Sequence, residues 1–137
     1  MTTVKSIFIT IFIFMSFVIS QNSLTLENLV SPTGVDADTL FTVDVLVLND
    51  EPVGGFQFGL SGVSMTAGTG GSAQDAGFVV SVSSTVMLGF SFTGATIPEG
   101  EGVLVTVSFD NSDGSVETCI TGAVVSDAIG GGLDFST

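Results

Sequence analysis

The sequence contains no Trp, no Tyr and no His, and a single cationic side chain, Lys5, in 137 residues. Each absence removes chemistry. Without His there is no Ser-His-Asp or Cys-His relay, and without Lys or Arg beyond residue 5 there is no Schiff-base amine and no clamp for a transferring phosphoryl group. Nucleic acid is excluded as a partner because nothing neutralises phosphate, and an anionic membrane surface would repel the chain. The lone cysteine, Cys119, cannot close an intrachain disulfide. Fourteen Asp and Glu set the net charge at −13, yet charged residues are only 11% of the chain, against about a quarter in an average domain. The surface is therefore mostly Ser, Thr, Gly and backbone.

What is present begins with Lys5 and an apolar run over residues 7–19 ending at Ser20. This order predicts a secretory signal peptide over residues 1–20, with Gln21 as the new N-terminus and one domain over residues 21–137. A membrane anchor is the competing reading, but a 13-residue helix spans only about 20 Å of a roughly 30 Å hydrocarbon layer. Cleavage leaves fourteen acids and no cation.

The rest alternates in short segments broken by glycine-rich turns, with no sustained helical period. Strands are predicted at residues 23–30, 40–49, 55–60, 63–67, 78–83, 85–92, 102–109, 115–125 and 133–136. About nine such strands make an all-β, two-layer, immunoglobulin-like sandwich. Alternation predicts four inward sets: Phe41, Val43, Val45 and Val47; Phe56, Phe58 and Leu60; Leu88, Phe90 and Phe92; and Val103, Val105, Val107 and Phe109. Between strands, Pro32 with Gly34, Pro52, and Asp113-Gly114 carry turn chemistry. The segment over residues 67–77 holds a candidate helical turn at residues 72–76, but the three glycines before it favour a loop. Few charges guard the strands, so that the one at residues 102–109 reads as an edge suited to pairing with another module.

Several phrases resemble one family. Val53, Gly55, Phe56, Phe58 and Leu60, then Gly102, Leu104 and Phe109, then Asp127, Gly130 and Leu133 are similar to the motifs of cohesin modules and of related carbohydrate-binding modules. The resemblance implies a nine-stranded jelly-roll sandwich, secretion, no catalysis, and binding of a protein (dockerin) or a polysaccharide. Two departures matter. Sugar-binding members stack pyranoses on Trp or Tyr, both absent here, and cohesins grip dockerin partly through charged side chains, of which this chain has no cations to offer.

Candidate sites follow from what remains. Glu99 and Glu101 are the one visible carboxylate pair for a glycosidase, but they sit on one loop without aromatics and read as solvated acids, so the protein is expected not to be an enzyme. Calcium is a candidate ligand of Asp36 and Asp38, and of Asp110 and Asp113 with Asn111 and Glu117; the second group misses the D-x-[DN]-x-[DN]-G calcium-loop register and reads sooner as a hairpin turn. Cys119 is either a half-buried hydrophobe or an intermolecular disulfide. With Phe56, Phe58 and Leu60 inward, Gln57, Gly59 and Ser61 turn outward, and Ser91 and Thr93 join them if both strands share a sheet. That uncharged strip is the expected binding face. The function expected is a secreted, non-catalytic module that binds an extracellular protein or glycan. The alternative is a structural subunit of an extracellular filament, coat or adhesive layer, self-associating through strand edges.

Overall fold

The computed structural model describes residues 22–31, 40–110 and 117–137; Asp36, Asp38, Asn111, Asp113 and the signal-peptide segment lie outside them. Nine strands form two antiparallel sheets packed face to face. One sheet has the order β1 (Ser23–Val30), β2 (Phe41–Asn49), β7 (Gly100–Asp110), β4 (Ser64–Thr69). The other has the order β5 (Val79–Val82), β6 (Met87–Phe90), β3 (Gly55–Leu60), β8 (Ile120–Ser126), β9 (Gly132–Leu133). Close to Ser136 the chain returns beside β1 in parallel, where Leu24 N donates to Ser136 O at 2.9 Å and Ser136 N to Asn22 O at 3.0 Å. This is the two-layer sandwich the alternation predicts. No helix among the described residues is long and apolar enough to cross a membrane.

The core is made where inward faces meet. Phe56, Phe58 and Leu60 from β3 pack with Val43, Val45 and Val47 from β2 and Val105, Val107 and Phe109 from β7, all buried. Phe56 stacks between Phe58 and Phe78, with ring centroids 6.0 and 6.2 Å away. Phe109 stacks on the half-buried Phe41 at 5.6 Å.

Four expectations are overturned. On β6 the inward residues are Met87 and Gly89, not Leu88 and Phe90, and Phe92 lies beyond the strand. The cause is the Phe56 ring, which occupies the space where a side chain at Gly89 would go, so Gly89 faces in and its neighbours Leu88 and Phe90 face out. On β7 the register with β2 shifts between Val45 and Leu46, pairing Leu46 with Val103. The bulge buries Leu104 and turns Val103 to the outer face. Strand β7 is flanked by β2 and β4, so it is not an edge open to pairing.

The fourth is that residues Gly71–Asp75 form a short helix, α1, rather than a loop. Ala73 is fully buried, and the Gln74 side chain accepts from Gly70 N at 2.9 Å. The preceding glycines permit this helix instead of preventing it: Gly71, at φ +67°, lies so close to the Val103 and Leu104 carbonyls of β7 that no side chain fits.

Candidate binding face

Acidic side chains are unevenly placed. The four-stranded sheet carries Glu27, Asp44, Glu101 and Asp110. Asp44 is held on its outer face, accepting from Thr106 Oγ1 at 2.6 Å and Asn28 Nδ2 at 3.0 Å. None of the five strands of the other sheet contains an ionisable residue. With no cation among the described residues to offset them, the acids repel one another at low salt. We expect the melting temperature to rise as sodium chloride shortens the screening length from about 30 Å at 0.01 M to about 10 Å at 0.1 M. A flat or falling melting temperature over that range would show that self-repulsion is negligible.

Strand register assembles the uncharged outer face row by row. One row runs Ser81, Leu88, Gln57, Val124 across β5, β6, β3 and β8; the next runs Val79, Phe90, Gly55, Ser126. Neighbouring strands lie about 4.8 Å apart, so each row is roughly 14 Å wide. Val79, Leu88 and Val124 are exposed, Val124 to 57%. Where Gly55 supplies no side chain, a shallow depression of about 270 Å³ opens between Leu88, Phe90, Gln57, Val124 and Ser126.

Two exposed hydrophobes stand at the β3 N-terminal end of this face. Strands β6 and β8 both run antiparallel to β3, so the chain leaves each of them at that end. After β6, Phe92 is 81% exposed and meets Phe90 edge to face, with centroids 4.9 Å apart and planes at 81°. After β8, Ile129 is 93% exposed at the tip of a loop that Asp127 fixes, its Oδ1 accepting from Ile129 N at 2.9 Å and Gly131 N at 2.7 Å. Gly54 lets that loop sit against β3, since a side chain there would strike the Asp127 carbonyl.

Of the residues expected on this face, only Gln57 stands exposed in it. Gly59 is buried, covered by the Thr85 carbonyl and the Thr121 side chain. Ser61 lies in the turn after β3, its Oγ accepting from Cys119 N at 3.0 Å. Ser91 and Thr93 shape the turn after β6: Ser91 Oγ accepts from Thr93 N and Ala95 N at 3.2 and 3.0 Å. Leu88, Phe90 and Phe92 also belong to this face, against the alternation that turns the bulky residues of β6 inward, and Val124 joins them because the sheet order sets β8 beside β3. A glycine between two bulky neighbours, as at Gly89, was the available signal.

Cys119 is an exposed free thiol, which removes the half-buried reading. Glu99, Glu101 and Asp110 are exposed, and no group of three His, Cys, Asp or Glu side chains converges as a metal site among the described residues.

No protein-family model matches the sequence, and no curated protein matches it. Solved structures do. The chain is similar to a non-cellulosomal cohesin from the hyperthermophilic archaeon Archaeoglobus fulgidus, with a TM-score of 0.60 and 18% identity over 85% of this chain and 86% of that one. It is also similar to a chain in the crystal structure of a cohesin–dockerin complex containing CaCohA2 at pH 5.5, with a TM-score of 0.51 and 17% identity over 71% of this chain and 83% of that one. Element order, sheet pairing and these likenesses agree that the protein has a cohesin-like β-sandwich fold.

Proposed function

We propose that the protein is a secreted, non-catalytic module that binds a protein partner on the outer face of its five-stranded sheet. The observation that carries this reading is the segregation of charge. In a chain with fourteen acids, this sheet has none in its strands and exposes Leu88, Val124, Phe92 and Ile129 together. Depletion of charge at the centre with acids kept to the surroundings is the anatomy of a protein interface. The depression over Gly55 would accept a protruding apolar side chain. A partner's cations would meet acids around the face, so electrostatics would favour encounter without charges of both signs on this chain.

A protein fits better than a glycan. Pyranose stacking needs a flat platform, and the aromatic pair at this face, half-buried Phe90 with exposed Phe92, is edge to face. Self-assembly fits less well, since two copies would bring like charges together. One structural neighbour comes from a cohesin–dockerin complex, which makes dockerins the first partners to try.

The test titrates the purified protein against a panel of dockerin modules and a glycan array, beside a variant with Leu88→Arg and Val124→Arg. A control with Thr25→Arg and Leu29→Arg places the same charge on the exposed part of β1. We expect a dockerin-class partner to bind the parent and the control, and to bind the face variant at least 100-fold more weakly, a loss of about 2.7 kcal/mol. Binding that survives both substitutions removes the face from the proposal. A glycan bound in place of any dockerin, or concentration-dependent oligomers with no ligand, would replace the protein partner.

A further inference from the structure

Where β2 ends and β7 begins, beside α1, the structure holds a small, partly open cavity outside the proposed binding face. It has a volume of about 120 Å³, and the apolar Val47 and Ile97 line it beside Asn49, Ser72, Glu99 and Glu101. We infer that this cavity is a binding site for a divalent cation of the calcium class, with Asn49 Oδ1 and Ser72 Oγ as inner ligands and the Glu99 and Glu101 carboxylates at its rim.

Asn49 is the first reason. It is the one buried polar residue among the described core, 3% exposed at the end of β2. Its Nδ2 is fully committed, donating to Glu51 O at 2.8 Å and Pro98 O at 3.0 Å. These two bonds fix the amide plane and assign the other atom as oxygen. That oxygen is buried without a partner. An acceptor left bare inside a protein loses its hydration for nothing in return, so a specific unsatisfied atom calls for a ligand.

Ser72 is the second. It lines the same cavity from α1, and its Oγ is likewise buried without a partner. Two unpartnered oxygens from distant parts of the chain therefore meet at one cavity, and two acidic residues complete its lining. Gly100, opposite Asn49 in the β2–β7 register, leaves that position free of a side chain.

The chemistry selects the ion. Every side-chain donor available is oxygen, the ligand type of hard cations. A water molecule could donate to Asn49 and Ser72, but a divalent cation would satisfy both oxygens and also draw in the exposed Glu99 and Glu101 carboxylates beside them. Water occupies about 30 Å³, so the cavity has room for an ion with some of its hydration. Calcium tolerates a mixed, irregular shell of amide, hydroxyl, carboxylate and water oxygens, whereas magnesium demands near-ideal octahedral geometry.

The experiment follows thermal unfolding and calorimetric binding of the purified, EDTA-treated protein with calcium, with magnesium, and with sodium chloride at matched ionic strength. Calcium should raise the melting temperature saturably, beyond both controls, with a dissociation constant on the order of 0.1–1 mM, the range of extracellular calcium modules. Ser72→Ala is the decisive variant. Because Ser72 Oγ has no protein partner, its loss leaves the calcium-free melting temperature unchanged or slightly higher, yet it should weaken calcium binding at least tenfold. Glu99→Gln with Glu101→Gln should do the same. A response equal for calcium and magnesium, or one retained in both variants, overturns the inference. So does a response lost only with Asp110→Asn and Asp113→Asn, which would assign the ion to the other end of β7.

Discussion

Phe58→Ala is expected to lower the unfolding free energy by about 3–5 kcal/mol, a large part of the roughly 5–15 kcal/mol that holds a domain of this size. Phe58 is 1% exposed at the centre of β3, stacked on Phe56 and enclosed by both sheets. Truncation removes a phenyl ring where the surrounding strands are hydrogen-bonded on both sides and cannot collapse into the cavity. Phe90→Ala is the matched control. Phe90 lies on the outer face of the same sheet and meets Phe92 edge to face, so its loss should cost about 1 kcal/mol, the worth of such an aromatic pair. Urea unfolding of the two variants distinguishes them. Equal losses would mean that β6 presents Phe90 to the core and that its inward and outward residues are exchanged.

Gly71→Ala should lower stability by about 2–5 kcal/mol, combining a left-handed conformation that a side chain resists with overpacking against rigid backbone. The site has no slack, for the new methyl would approach the Val103 carbonyl oxygen at 2.6 Å and the Leu104 carbonyl closer still. Gly70→Ala carries its own conformational penalty, at φ +69° and ψ −163°, a region nearly reserved for glycine, but faces open space. It should cost about 1–3 kcal/mol. The difference between the two isolates the contact of α1 with β7, and equal melting temperatures would show that the helix does not press on that strand.

Much of this architecture is written locally. Strand β3 spans the residues its alternation marks, because Phe56, Phe58 and Leu60 all find depth and Gln57 finds water. The errors arise where a neighbour decides. Gly89 faces inward because a ring from β3 fills its space, and β6 records that ring only as a glycine between two bulky residues. Val103 turns outward because one extra residue is bulged at Leu104, which shifts every position before it. The helix at Gly71 depends on a carbonyl more than thirty residues away. The face proposed for binding is legible in kind, as an uncharged surface around Gln57, but not in membership. Its apolar residues come from β6 and β8, and only sheet order brings those strands to either side of β3.

The parallel contact between β1 and the last residues also sets how the domain meets a pulling force. Asn22 and Ser136 belong to neighbouring segments that run in the same direction. Tension applied through the chain at these two points drags the segments past each other along their length. The bonds from Leu24 N to Ser136 O and from Ser136 N to Asn22 O are then loaded together in shear, with the β1–β2 ladder behind them, rather than opened one at a time like a zip. Pulled through the chain on both sides of this contact, the domain would therefore resist extension through bonds that must break together.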